Sequence, residues 1–181
     1  ITDIISRGRC HGKVIDSDGV KQAFFMGLIG QEKGTTDTVD AKTDIQSIFA
    51  DLALSLHNAG FELTDLVRTW FYLKEILPVY EIFNTVRSDS YAGKINDWRV
   101  PASTGIQGES ATGREISLDA IAIRRTYGNW PKIQVMTSPK QPEAKTYGAL
   151  FSRGIEIAWP QYKILHISGT ASIDEAGRSV Y

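Results

Sequence analysis

The period of apolar and polar residues changes several times along the chain. His11 to Ile15 and Val20 to Ile29 read as two strands, joined by Asp16-Ser17-Asp18-Gly19, residue types that tolerate turn geometry. Gly30 to Gly34 reads as a loop and Thr35 to Asp40 as a polar connection. A helix is predicted over about Ala41 to Asn58, where Ile45, Ile48, Phe49, Leu52 and Leu56 fall on one face. Asp40 or Thr43 can cap its start, and Gly60 sits where a C-terminal cap belongs. Leu66 to Glu75 is rich in β-formers. Alternation places Val67, Thr69, Phe71 and Leu73 on one face and Leu66, Arg68, Trp70 and Tyr72 on the other. A second helix is predicted from Pro78 to about residue 91, with Val79, Ile82, Phe83, Val86 and Ser90 sharing a face. Strands are expected at Ser103–Gln107 and Glu115–Arg125. Single strands between helices and hairpins at the ends predict an α+β fold, a mixed β-sheet with two helices packed on one face.

The pattern changes after Asn129-Trp130-Pro131. Residues 132 to 181 offer strand-like stretches at Lys132–Met136, Ala149–Ala158 and Tyr162–Ile167, and no convincing amphipathic helix. Strands with no helix to cover them cannot close a core alone. A shift of 142 residues lays Lys21-Gln-Ala-Phe-Phe-Met-Gly27 on Lys163-Ile-Leu-His-Ile-Ser-Gly169, with Gly34 one residue from matching Gly177. The identities are few, and chance likeness between two hairpins explains them equally well. The hairpin of 149–158 and 162–167 is expected to extend or cover a sheet of another module.

Composition narrows the function classes. The chain has 181 residues, 42% of them apolar and 23% charged, which excludes wholesale disorder. Twenty basic against 21 acidic residues give a net charge of −1. That argues against a broad electrostatic grip on nucleic acid, which is not expected as a partner. One cysteine, Cys10, excludes a disulfide framework within the chain and a cysteine-rich zinc site. No apolar run approaches the ~18 residues of a membrane span. Ile1-Thr2-Asp3 opens neither a basic nor an apolar leader region, so a soluble, cytoplasmic protein is the expectation.

Candidate chemistry is sparse. His11, His57 and His166 have no metal-ligand spacing, and no metal site is expected. His57 suits the negative end of the first helix. His166 and Ser168, two apart on a strand, share a face, which permits a His–Ser pair or simple packing. The stretch Gly105 to Gly113, with Gln107, Glu109, Ser110, Thr112 and Arg114, reads either as a solvated hairpin loop or as a cleft wall. Arg68, Trp70 and Tyr72 could bind a planar anion, or could pack beneath an oligomer partner.

Several segments together resemble the Rid (YjgF/endoribonuclease L-PSP) family. They are Phe24-Phe-Met-Gly27 through the helix to His57-Asn-Ala-Gly60, Leu63-Thr-Asp-Leu-Val-Arg-Thr-Trp-Phe-Tyr-Leu73, Pro101-Ala-Ser-Thr-Gly-Ile-Gln107 and Leu118-Asp-Ala-Ile-Ala-Ile123. Residues 133–181 resemble the start of a second such module, through Thr146-Tyr-Gly148 and His166-Ile-Ser-Gly-Thr-Ala-Ser172. Tandem modules of this kind are similar to chorismatases, enzymes that act on chorismate. The resemblance implies a complete module over 1–127 and the N-terminal strands of another over 128–181. It also implies a trimer or pseudo-trimer of modules, a homo-oligomer, with clefts between neighbours.

In the family's deaminases an arginine in the Pro-Ala-Arg segment grips a substrate carboxylate, since its planar fork bonds both oxygens. Here that place is Ser103. The family's water-activating glutamate falls at Ser117, with Asp119 two residues on. Tyr147 and Ser168 occupy matching places in the second module. The substrate-binding candidates are therefore Ser103, Thr104, Gln107, Arg114, Tyr147, Ser168, Arg68 and Trp70, with no catalytic residue assigned. The implied ligand is a small carboxylate metabolite. The implied chemistry, if any, is cofactor-independent: enamine/imine hydrolysis or a chorismatase-like conversion. A non-catalytic ligand-binding or oligomer-scaffold module and an endoribonuclease L-PSP-type RNA cleavage are the alternatives.

Overall fold

The structure, a computed structural model, describes residues 1–29, 40–96, 99–109 and 113–169. The expected loop Gly30–Gly34, most of the connection after it, Ser110, Thr112, Thr170-Ala-Ser172 and Gly177 lie outside the described residues.

Three strands open the chain as an antiparallel meander: β1 (Thr2–Ser6), β2 (Arg9–Ser17) and β3 (Val20–Leu28). The sequence pattern does not announce β1, because only Ile4 and Ser6 of its five residues face inward. The β2–β3 turn is tighter than expected. Asp16 and Ser17 remain in β2, and Asp18 and Gly19 alone take positive φ, the two-residue turn that suits strand twist.

Helix α1 (Ala41–Asn58) starts and stops where its caps place it. The Asp40 carboxylate accepts the Thr43 N–H at 2.8 Å. Gly60, at φ 78°, lets the N–H of Phe61 reach the carbonyl of Leu56 at 2.8 Å, which closes the last turn. Strand β4 (Leu66–Leu73) leads to α2 (Ile76–Tyr91), which begins two residues before Pro78. Val79, Phe83 and Val86 form its buried stripe. Ile82 was expected with them and is 38% exposed, since the stripe passes to one side of it. Strands β5 (Ala102–Gln107) and β6 (Ile116–Arg125) complete a six-stranded sheet of order β1-β2-β3-β6-β4-β5. β5 is parallel to β4, and β4 separates it from β6. The polar stretch between them is thus a crossover and not a hairpin loop.

Both helices pack on one face, around Phe49, Phe71, Phe83 and Tyr91, whose ring centroids lie 4.8 to 6.3 Å apart. The strict alternation expected for β4 fails at its start. A bulge against β6 between Leu66 and Arg68 sends Leu66 into the helix-side core and Val67 to the opposite face. From Arg68 onward the expected faces hold: Phe71 and Leu73 lie in the helix-side core.

Three further strands, β7 (Lys132–Met136), β8 (Gly154–Ala158) and β9 (Lys163–Ile167), form a separate antiparallel sheet. β8 and β9 make the expected hairpin, but residues 149–153 are not part of it. There Ser152 forms a bridge with Ala102 of β5, and its N–H donates to the Pro101 carbonyl at 3.1 Å. The small sheet covers part of the large sheet's helix-free face. Val20, Val67, Ala102 and Ile123 pack there with Ile155 and Ile157. No helix among the described residues is long and apolar enough to cross a membrane.

Candidate functional site

The register of the large sheet gathers polar side chains on its helix-free face, beside the end of β9. Trp70 stands opposite Asp119 of β6 on one side and opposite Thr104 of β5 on the other. Directly opposed residues share a face, so these three form a row across the sheet. Arg68 and Tyr72 flank Trp70 along β4 and, two apart, share its face.

Arg68 is the electrostatic centre. Its guanidinium lies 4.3 Å from the Trp70 ring centroid, and its Nη2 donates to the Thr104 hydroxyl. The residue is only 5% exposed, and its Nη1 has no hydrogen-bond partner. Among the described residues no carboxylate stands within ion-pair distance of it. Burial lowers its pKa to about 10, an effect that Tyr72 offsets only in part. His166 of β9 lies close by. Burial, then the Arg68 charge, holds its pKa below the ordinary histidine value, so it is neutral near pH 7.

Asp119 is fixed on both sides: Oδ2 accepts the Tyr72 hydroxyl at 3.0 Å and Oδ1 the Gly27 N–H at 2.8 Å. Burial, followed by the bond to Asp119, raises the Tyr72 pKa and keeps the phenol protonated. Gly27 and Gly169 are the two glycines that the 142-residue shift superposes. Each donates its N–H into the row, Gly27 to Asp119 and Gly169 to the Thr104 hydroxyl at 2.8 Å. The row pairs a desolvated cation and an indole face with an oriented carboxylate. Such a set can hold a flat anion and polarise or deprotonate a group beside it.

The structure divides the sequence-derived candidates. Ser103, Thr104, Ser168, Arg68 and Trp70 come together at the seam between the sheets. Ser103 lies on the helix side of β5, 4% exposed. Its hydroxyl accepts from Thr69 at 2.9 Å, and its N–H donates to the Ser168 hydroxyl at 2.8 Å. Ser168 in turn donates to the Ser152 carbonyl. The Ser168 hydroxyl therefore joins the sheets, while the Ser103 hydroxyl bonds within the large sheet, and the permitted His166–Ser168 pair does not use the Ser168 proton. Gln107 stands at the far end of β5, where Oε1 accepts the first N–H of α2 at 3.4 Å. Arg114 is on the helix side, paired with Asp44 of α1 at 3.1 Å. Tyr147 belongs to a short 3-10 turn (Ala144–Tyr147) and stacks with Arg153, away from the Trp70 row.

Sequence reasoning placed Tyr72 in the stripe that could bind an anion, but did not join Asp119, in the expected strand β6, to that stripe. The missing information was the register that sets Asp119 beside Trp70. Arg87 and Arg153, buried with no carboxylate partner among the described residues, carried no signal at all. Among the described residues, no group of three His, Cys, Asp or Glu could hold a metal ion.

No protein-family model and no curated protein matches the sequence. Solved structures do resemble the fold. A chorismatase superposes with a TM-score of 0.67 at 24% identity, over 94% of this chain and 50% of that one, so the chain spans half of the chorismatase's length. The Escherichia coli YjgF gene product gives 0.53 at 17% identity, over 68% of this chain and 93% of that one. Escherichia coli TdcF, solved with bound serine, gives 0.51 at 16%, over 64% and 87%. At these identities the likeness establishes architecture: the chain has the fold of the Rid (YjgF/endoribonuclease L-PSP) proteins, and that fold extends to a chorismatase-like arrangement over nearly the whole chain.

Proposed function

We propose that this protein binds a small cyclic carboxylate of the chorismate class in the cleft between its two sheets. The observation that carries the reading is Arg68: a buried guanidinium stacked on Trp70, with one nitrogen unpaired and no carboxylate partner among the described residues. A bound carboxylate supplies the missing charge, and the Trp70 face accepts a flat ring. The chorismatase likeness over 94% of the chain favours this ligand class over a short imine. Ser103, with its hydroxyl and N–H both engaged, supports the same choice, since an imine hydrolase of the Rid type needs a charge there.

In this reading residues 128–181 open a second module of the same kind, and the cleft belongs to a trimer or pseudo-trimer of modules. The half-exposed β9, with Ile164, Leu165 and Ile167 at the surface, is the edge on which further structure of that module would pack. Asp119, held by Tyr72 and Gly27, is the group that takes or gives a proton if the ligand is turned over. A purely ligand-binding role is the second reading, favoured by Ser103 and Ser117 at the two places where the family likeness expects an arginine and an acid.

Tryptophan fluorescence tests the site. Chorismate quenches the emission of the wild type, and Trp70→Phe loses that quenching component. Equal quenching in both proteins contradicts the proposal.

A further inference from the structure

A hollow of about 190 Å³ lies in the seam between α1 and α2, in the helix layer and so across the large sheet from Arg68. Gln46, Phe49, Ala50 and Ala53 line it from α1. They fall at i, i+3, i+4 and i+7, one stripe of the helix surface. The two alanines put only a methyl group where a longer side chain would close the seam. Phe49, 4% exposed, forms the floor, and half-buried Leu63, at the start of the 3-10 turn Leu63–Asp65, adds an apolar wall. From the α2 side come Ser90, which the sequence pattern of α2 counts with its apolar face, and Lys94, just past the helix end. Gln46 and Lys94 are exposed at the mouth. Among the described residues, Gln46, Ser90 and Lys94 make no side-chain hydrogen bond or ion pair.

The lining is thus apolar at the bottom and carries donors at the rim, with one cation among them. An apolar body in the hollow covers Phe49, Ala53 and Leu63 and releases the water over them. The Lys94 ammonium is a point charge on a flexible stem, which suits a single anionic head. The Gln46 amide and the Ser90 hydroxyl are neutral donors beside it. Size sets the class of ligand. A cavity of roughly 150 Å³ takes benzene, so this one has room for an apolar body of roughly six to eight carbons. A drug-sized ligand or an organic cofactor, which needs about 300 Å³ or more, does not fit.

We propose that the seam between α1 and α2 binds a short-chain aliphatic carboxylate, with its chain over Phe49 between Ala53 and Leu63 and its head at Lys94. The inference does not depend on the proposed function, because the two sites lie on opposite faces of the large sheet and share no residue.

The test is a titration of the full chain with hexanoate, followed by the backbone amide resonances at constant ionic strength and near-neutral pH. Saturable shifts are expected at Phe49, Ala53, Leu63, Ser90 and Lys94. Lys94→Gln, a change at an exposed position, should fold as the wild type does and bind hexanoate roughly fivefold or more weakly. Hexanol, with the same chain and no charge, should bind the two proteins alike. Ala53→Leu fills the hollow and should abolish binding of both compounds. If Ala53→Leu does not fold, the comparison of wild type with Lys94→Gln still decides the matter. The absence of saturable shifts at these amides, or equal hexanoate affinity in wild type and Lys94→Gln, overturns the proposal. So does a loss of hexanol binding in Lys94→Gln as large as the loss of hexanoate binding. Shifts centred on Trp70 and Thr104 would place hexanoate in the Arg68 cleft and overturn it as well.

Discussion

The hydroxyl of Ser168 accepts the backbone N–H of Ser103 at 2.8 Å and gives its own proton to the carbonyl of Ser152. One side chain thereby joins the end of β9, the edge of β5 and the segment leading into β8. All three groups are buried, so their hydrogen bonds have no water to replace them. Ser168→Ala strands an N–H and a carbonyl and costs about 1–3 kcal/mol. The expected outcome in thermal unfolding is a lower Tm with an unchanged fold by circular dichroism. A Tm equal to the wild type would mean that this bond does not hold the sheets together.

Gly169 meets Thr104 more closely than any side chain could. A Cβ there would lie 2.5 Å from the Thr104 methyl and 2.9 Å from its hydroxyl oxygen. Gly169→Ala must therefore displace Thr104, which is also the partner of Arg68 Nη2. The variant is expected to fold and to lose ligand affinity by roughly fivefold or more, about 1 kcal/mol. Binding isotherms on the two proteins check this, and unaltered affinity would remove Thr104 from the site.

The large elements were legible because each obeys one local period. The bounds of α1 follow from its apolar stripe, the Asp40 cap and Gly60, all within twenty residues of sequence. What escaped depends on pairing between distant segments. The Leu66–Arg68 bulge exchanges the faces of Leu66 and Val67 only because β6 has a given register there. β1 is held by its partner strand and by Ile4, and five residues with two inward groups leave little pattern. The site divides the same way. Arg68 and Trp70 stood out as a stripe on one strand. Asp119 joins them through cross-strand register, and Arg87 with Arg153 through a segment that folds back from 66 residues further along. Arg114 stands among the binding candidates and near Ser103 in sequence, whereas β4 lies between β5 and the strand that Arg114 precedes.

That correction predicts a separable phenotype. Arg114→Ala removes the partner of Asp44, which is 6% exposed in the first turn of α1. The loss is about 1–3 kcal/mol of stability, moderated by the favourable helix terminus around the carboxylate. Ligand affinity, measured at a temperature where the variant is folded, stays within twofold of the wild type. A selective loss of binding at full stability would return Arg114 to the site.

His166 and His11 give the fold an acid-side weakness. Burial is the first cause of a lowered pKa in both. The unfolded chain binds a proton at each below the ordinary value near 6.5, and the folded chain resists it. Stability is therefore fully present above about pH 6.5 and declines as the pH falls below it. His166→Gln removes one of the two contributions. The slope of Tm against pH between roughly 5 and 6.5 should become shallower in that variant, while a slope equal to the wild type would show that His166 titrates normally.

The central claim is that Arg68 is the cation awaiting a carboxylate, and calorimetric titration of chorismate into wild type and Arg68→Met tests it most directly. Methionine keeps apolar contact with Trp70 and removes the charge, so the fold is expected to persist. A charge-assisted bond contributes about 1.5–3 kcal/mol, so affinity should fall by roughly one to two orders of magnitude. Equal affinity in the two proteins would contradict the account.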